Sequence, residues 1–247
     1  MNNIKVSDIL KATGGKLIQG NSGLLINGIS TDTRSIKQGE IFFALEGENY
    51  DGHKFVEQAI HNGAAGAVIS SGKKAAYSFH NGFKKCALLE VADTLIALGE
   101  LAKFYRNSLP ASFIAVTGSN GKTTTKDMAY HVLRNFKSVS RSRKSFNNFI
   151  GVPLTIFETE TAHDFCIVEM GTNAPGEIKR LSEIIFPDFA ILTNISHAHL
   201  EGLENIEGVA SAKSEFIENM AEDGTLITNA DDDWCNQITN RFNGKVI

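Results

Sequence analysis

Cysteine is scarce in this sequence, and neither sign of charge dominates it. Its three cysteines, Cys86, Cys166 and Cys235, are odd in number, far apart and never paired as CxxC. That usage argues against a disulfide framework or a zinc site and fits a reducing compartment, so the cytoplasm is expected. The 24 basic and 28 acidic residues leave a net charge of -4. A protein that held nucleic acid or a membrane surface mainly by electrostatics would need a basic balance instead. No apolar run approaches the ~18–20 residues that cross a bilayer, so no membrane insertion is expected. Residues 1–15 lack the apolar block and cleavage site of a signal peptide. Low-complexity tracts and internal repeats are missing too.

What is present is a globular composition, 42% apolar and 21% charged over 247 residues, with enough apolar mass for a core. At about 150 residues per domain, one large or two small domains are open. Residues 41–45 read as a strand, followed by the turn signal Asp51-Gly52. Phe55, Val56, Ala59 and Ile60 have helical spacing over residues 53–62, with Gly63 as the stop. Residues 67–69 and 87–89 read as further strands. Asp93 reads as the N-cap of a helix through Leu95, Leu98, Leu101, Ala102 and Tyr105. The polar, proline-closed stretch Asn107-Ser108-Leu109-Pro110 then places a domain boundary, giving domains 1–107 and 108–247.

Beyond that boundary four apolar runs, 113–116, 165–168, 189–192 and 225–227, show little polar alternation, as in parallel strands buried on both faces. Helical stretches separate them. The fold class is therefore α/β, with a doubly wound, mainly parallel sheet whose ligand belongs at the carboxyl ends of the strands.

The first run leads into Thr117-Gly118-Ser119-Asn120-Gly121-Lys122-Thr123-Thr124, which opens a helix through Met128, Val132 and Leu133. Glycines let such a turn aim backbone N–H groups at phosphate oxygens, and the helix N-terminus adds partial positive charge. Lys122 would reach the outer phosphates and Thr123 would bind Mg2+. Val116 stands where the usual pattern has its first glycine, so this is a shortened P-loop. A tight strand-to-helix turn that happens to contain lysine is the bland alternative, which the flanking strand and helix disfavour.

The second run ends at Glu169, followed by Met170-Gly171. A carboxylate beside a P-loop suits magnesium, a cation of hard oxygen ligands, although a strand-end glutamate is also commonly just solvated. The third run ends in Thr193-Asn194-Ile195-Ser196-His197-Ala198-His199. No third ligand makes this histidine pair a zinc site; one histidine is expected to face metal or phosphate and the other to be structural. Next, Ile206, Val209, Ala210, Phe216, Ile217 and Met220 mark one apolar helix face that includes Lys213. Spacing alone favours a snorkelling Lys213 over an amine buried in the site. After the fourth run, Asn229 suits an adenine edge, and Asp231-Asp232-Asp233 read most simply as a solvated turn.

Taken together, the shortened P-loop, Asn147-Asn148-Phe149-Ile150-Gly151-Val152-Pro153, Glu169-Met170-Gly171, the segment 194–202 and Ala212-Lys213-Ser214-Glu215 resemble the Mur ligase family of ATP-dependent amide-forming enzymes. Asn173-Ala174-Pro175-Gly176-Glu177-Ile178 and Ala198-His199-Leu200-Glu201-Gly202 are most similar to the branch that joins D-alanyl-D-alanine to UDP-MurNAc-tripeptide. The branch that adds the third amino acid ranks second, because its Arg-Asp-His-Leu-Asp-like segment is replaced here by His197-Ala198-His199-Leu200-Glu201.

The resemblance also covers the first domain, through Ser30-Thr31-Asp32-Thr33-Arg34, Gly39, Phe42-Phe43-Ala44-Leu45 and Asp51-Gly52-His53. It implies a UDP-sugar-binding domain in which Ser30, Thr31 and Arg34 contact the uridine diphosphate, with Asp51 and His53 on the substrate side. From the residues alone, 30–34 is a polar turn with Arg34 as a candidate phosphate clamp. In the second domain the resemblance makes Lys122, Glu169, His199 and Lys213 catalytic, and Thr123, Glu169, His199 and Lys213 the metal's neighbours. Lys213 would carry a carbamate formed from carbon dioxide. Asn229 and Asp231 take the adenine and ribose, and Asn148 lies near the phosphate and substrate groups.

The implied chemistry is attack of the tripeptide carboxylate on the γ-phosphate of ATP, then attack of the D-alanyl-D-alanine amine on the acyl phosphate. The resemblance implies a further C-terminal domain, for which no counterpart is expected within these residues. The chain as given is therefore expected to be a fragment with little or no turnover, and a monomer that binds no nucleic acid. A non-catalytic nucleotide or UDP-sugar binding module and a simple P-loop ATPase are the competing readings.

Overall fold

Short runs rich in β-branched and aromatic residues, such as Glu40–Phe43, Ser112–Thr117 and Phe165–Glu169, fold as strands. The computed structural model describes residues 1, 3–73, 85–198 and 200–247. They belong to two units, Met1–Tyr105 and Arg106–Ile247.

In the first unit β1 (Lys16–Gln19), β2 (Gly28–Ser30), β3 (Glu40–Phe43), β4 (Gly66–Ser70) and β5 (Ala87–Val91) lie in the order β1-β5-β4-β3-β2. Within this sheet, among the described residues, only the β1–β5 pair is antiparallel. The helices are α1 (Val6–Thr13), α2 (Val56–His61) and α3 (Thr94–Arg106), the last residue of α3 opening the second unit. Phe42, Ala44, Val56, Ala59, Ala67, Ile69 and Leu88 form a core between strands and α2. The helix expected over 53–62 divides in two. Asp51 accepts the His53 N–H at 3.0 Å and opens a 3-10 turn, Gly52–Phe55, ahead of α2. Gly63 does end it, at φ +106. Asp93 caps α3 as read from the sequence, accepting from the N–H groups of Leu95 (2.7 Å) and Ile96 (2.8 Å).

The second unit holds six parallel strands, β6 (Ser112–Thr117), β7 (Val139–Arg141), β8 (Phe165–Glu169), β9 (Phe189–Leu192), β10 (Thr225–Thr228) and β11 (Lys245–Val246). Their order is β7-β8-β6-β9-β10-β11. From β6 the chain runs to the edge strand β7, returns to β8 beside β6, and then crosses to β9 on the other side, so the direction of winding switches at the carboxyl end of β6. Val116 pairs with Glu169 and Thr117 with Leu192, which brings three strand exits together there.

Helices α4 (Lys122–Leu133), α5 (Gly151–Glu158), α6 (Glu177–Ile185), α7 (Leu200–Leu203), α8 (Ile206–Ser214) and α9 (Asp233–Thr239) complete the unit. Ile114, Val116 and Ile167 are buried beneath Ala129, Tyr130 and Leu133 of α4; each aliphatic side chain so buried contributes about 1.5–3 kcal/mol. Met128 and Val132, expected on the same helix, face solvent. The expected helix face over 206–220 is broken after Ser214, where a 3-10 turn, Glu215–Asn219, takes over, yet Val209, Ala210, Phe216 and Met220 all remain buried. At the end of α6 the Arg106 guanidinium donates to the carbonyls of Ile185 and Phe186 (2.8 Å each) and to Asp188 Oδ2 (3.1 Å).

Candidate nucleotide and magnesium site

Strand β6 delivers Thr117 to the switch point, buried, with its hydroxyl donating to the Met170 carbonyl (3.2 Å). Gly118 follows at φ +140, and a Cβ there would run into the Thr193 hydroxyl. The close approach knits the loop to the exit of β9. Ser119 N–H donates to the Asn194 carbonyl (2.9 Å), Asn120 N–H to Asn194 Oδ1 (3.1 Å) and Thr193 Oγ1 to the Asn120 carbonyl (2.6 Å). Ser119 Oγ reaches the Ser196 carbonyl at 2.9 Å. Gly121, at φ +78, starts α4. The first N–H groups of a helix have no partner within it, so Lys122, Thr123 and exposed Thr124 begin a positively polarised turn suited to anions. Lys122 Nζ lies over that loop, donating to the Gly118 (2.8 Å) and Ser119 (3.1 Å) carbonyls. Burial lowers its pKa, opposed by the Glu169 charge.

Glu169 is 1% exposed, so it is not the solvated strand end that its sequence position allows. Thr123 Oγ1 donates to its Oε2 at 2.8 Å and Asn147 Nδ2 to its Oε1 at 2.9 Å. Its N–H donates to Ser142 Oγ at 3.1 Å. Lys126 Nζ stands 3.7 Å from Oε2. A carboxylate and a hydroxyl side by side at the lip of a phosphate loop are the hard oxygen donors that magnesium takes, so the residues fit that ion. Asn148, expected near the phosphate and substrate groups, makes its side-chain bonds within its own loop. Its Oδ1 accepts from Ile150 (3.2 Å) and Gly151 (2.9 Å) and holds the start of α5, and it is Asn147 that meets Glu169. The sequence singles out neither Lys126 nor Ser142, and it gives Asn147 only as part of the segment 147–153. Lys126 did leave a signal, three residues past Thr123 on the same helix face.

Lys213 is 1% exposed, so the snorkelling indicated by spacing does not occur. Helix α8 turns that position inward, and burial, reinforced by the Lys122 charge, pushes the amine down to about 8. His199 lies outside the described residues, and His197 is exposed. Asn229 Oδ1 accepts the Asp231 N–H (3.1 Å), and Asp231 is exposed. The acidic triplet is more than a solvated turn. Asp232 caps α9 by accepting from Trp234 and Cys235 (3.0 Å each), and its Oδ2 takes the Ile195 N–H at 2.9 Å, joining the exits of β10 and β9.

In the first unit, Ser30 Oγ accepts the Asp32 N–H (3.2 Å) and donates to the Asp32 carbonyl (3.0 Å), while Thr31 is half-buried. Arg34 is exposed and pairs with Asp32 through Nε (2.9 Å) and Nη2 (2.6 Å), which brings that carboxyl down to about 2. His53 is buried with both ring nitrogens engaged: Ser70 N–H donates to Nε2 (3.0 Å), leaving Nδ1 to donate to Asp51 Oδ1 (2.7 Å). Lys73 bridges Asp51 and Glu46, 3.3 Å from each.

Residues 116–247 match the Mur ligase middle domain, and residues 25–106 match the catalytic domain of the Mur ligase family. The chain belongs to the Mur ligase family. Among its Mur ligase relatives, the UDP-N-acetylmuramoyl-tripeptide–D-alanyl-D-alanine ligase of Bacillus subtilis is 44% identical over 203 residues, 82% of this chain and 43% of that protein. The ligase of the same name from Haemophilus influenzae is 36% identical over 99% of this chain and 54% of its own length. MurF from Acinetobacter baumannii superposes with a TM-score of 0.89 at 32% identity, over 100% of this chain and 53% of that one. MurF ligase from Thermotoga maritima in complex with ADP superposes with a TM-score of 0.77 at 28% identity, over 89% and 49%. The chain thus spans about half the length of the curated Mur ligases it matches.

Proposed function

We propose that this chain provides the UDP-MurNAc-peptide-binding part (residues 1–107) and the ATP-binding part (residues 108–247) of a ligase joining D-alanyl-D-alanine to UDP-MurNAc-tripeptide. The observation that carries the reading is the meeting of Thr123 with Glu169 beside Lys122 at the switch point of the sheet. The relatives support it by their names, and the Thermotoga maritima enzyme by its bound ADP.

The residues act by position and charge, as phosphoryl transfer requires. The loop 118–121 and the first turn of α4 hold the triphosphate by backbone N–H groups, and Lys122 turns from the loop carbonyls to the outer phosphates. Thr123 and Glu169 would hold magnesium, which would neutralise phosphate charge when bound. The low pKa of Lys213 leaves part of its amine neutral near physiological pH, the form that takes up carbon dioxide as a carbamate. The tripeptide carboxylate attacks the γ-phosphorus and ADP leaves; the D-alanyl-D-alanine amine then attacks the acyl carbon and releases phosphate. In the first unit Arg34 is the anion-facing group. Asp51 and His53 position the segment around them, because their polar atoms are bound within the protein.

Calorimetric titration with ATP and magnesium tests the reading. Lys122→Ala is expected to weaken binding by ~10²-fold or more, the scale for losing one preorganised electrostatic donor. Unchanged binding would remove the nucleotide site from this loop. ATP hydrolysis that ignores UDP-MurNAc-tripeptide would mark a simple ATPase instead.

A further inference from the structure

Lys126 is 1% exposed, as deep as the hydrophobic core. Its ammonium faces three oxygens: the Lys144 carbonyl at 2.7 Å, Glu169 Oε2 at 3.7 Å and Asp127 Oδ1 at 3.7 Å. Asp127 is already paired with Arg141 through the same Oδ1. Glu169 in turn receives neutral donors from Thr123 and Asn147, and among the described residues Lys126 is the cation within 4 Å of it, the Lys122 charge acting on it from farther away. A buried carboxylate is costly without such a partner. The bond to Lys144, whose backbone stands at φ +47, fixes the ammonium against swinging away.

We propose that Lys126 is the resident counter-ion of Glu169, a positioning residue that orients the carboxylate and keeps the pocket from taking up a divalent ion without its nucleotide. The proposal rests on Glu169 and Thr123 as magnesium ligands. A bare divalent ion brought to Glu169 meets the Lys126 charge at close range, and like charges in a buried site repel strongly. A metal arriving on a triphosphate brings negative charge that offsets the repulsion. The lysine thus makes metal and nucleotide enter together.

Mn2+ is the probe, its free concentration followed by electron paramagnetic resonance, with the unaltered 247-residue chain as reference. Without nucleotide, Lys126→Met is expected to bind Mn2+ at least ~10-fold more tightly than the unaltered chain. Lys126→Arg, which keeps the charge, should not, and adding Glu169→Gln to Lys126→Met should abolish the gain. Equal or weaker Mn2+ binding by folded Lys126→Met overturns the proposal. If Lys126→Met does not fold, the unaltered chain decides. Bare Mn2+ bound as tightly as Mn2+ with ATP, and lost in Glu169→Gln, overturns the proposal, whereas binding that needs ATP supports it. Failure of the unaltered chain to bind Mn2+ even with ATP overturns the magnesium reading, and the proposal with it.

Discussion

The Thr123 hydroxyl donates to Glu169 Oε2 across 2.8 Å, a contact between residues 46 positions apart. Parallel register creates it. Val116 pairs with Glu169, so the turn after β6 must open beside the last side chain of β8. Asn147 reaches the other oxygen of the same carboxylate from a loop that no strand pairing fixes.

The two neighbouring asparagines therefore have separable roles. Asn147→Ala is expected to weaken magnesium-dependent nucleotide binding about tenfold, because one oxygen of a buried carboxylate loses its donor. Asn148→Ala should leave that affinity within twofold and lower the stability of the second unit by about 1 kcal/mol, the scale of a lost helix-capping side chain. Titration calorimetry and urea unfolding measure the two effects, and the reverse pattern would return Asn148 to the site.

Gly118 and Gly176 make a second pair. Both have positive φ, +140 and +85, but a Cβ on Gly118 meets Thr193 and one on Gly176 meets nothing within 4 Å. Gly118→Ala should cost ~1–3 kcal/mol and weaken ATP binding at least tenfold, because the loop must shift. Gly176→Ala should cost about 1 kcal/mol of stability and leave ATP binding unaltered. Equal effects on ATP would mean that the shape of the loop at Gly118 is not what holds phosphate.

How much of this was legible beforehand follows from the physics of each signal. The four long strands of the parallel sheet could be read because burial on both faces writes itself as apolar runs, whereas β7, with three half-buried residues, left none. Lys122, Thr123 and Glu169 were legible because a phosphate loop is a local pattern and the strand-end rule adds its neighbour. Lys213 was named through the family resemblance and not by its spacing, since a 3.6 repeat puts a lysine on an apolar face whether it snorkels or stays in; only packing decides. Which of Asn147 and Asn148 meets the carboxylate is not written in the sequence for the same reason. Adjacent residues leave a loop in directions that depend on its backbone, and here α5 takes one and the carboxylate the other. Asp232 was hidden among three acids, of which the one that caps α9 depends on where that helix starts.

Arg106 is expected to be a stability residue with no effect on the nucleotide. Its guanidinium gives three hydrogen bonds at the end of α6 and lies 4.7 Å from the Phe113 ring centroid. Arg106→Ala should destabilise the second unit by ~2–4 kcal/mol, since two carbonyls and a carboxylate lose a charged donor. Arg106→Lys should recover less than half of that, because a point ammonium cannot reproduce the fork. Urea unfolding of the three proteins reads this directly; full recovery by lysine would show that charge alone mattered.

Lys213 makes stability depend on pH in a direction that can be worked out. Its amine sits at about 8 in the folded chain against an ordinary 10.5, chiefly through burial and then through Lys122. Below pH 8 the amine is protonated folded and unfolded, and burying the charge costs the full difference, roughly 3 kcal/mol. Between 8 and 10.5 the unfolded chain holds the proton and the folded chain does not, so stability rises with pH through that window. Above 10.5 the penalty is gone. Lys213→Met should accordingly raise unfolding free energy in carbon-dioxide-free buffer by up to roughly 3 kcal/mol at pH 7, with the gain shrinking steadily from pH 8 to 10.5. Bicarbonate at pH 8 should stabilise the unaltered chain and leave Lys213→Met unmoved, because only the amine can form the adduct that binding would favour. A gain that stays constant across that pH range would show that Lys213 does not titrate there, and would leave the carbamate without its neutral amine.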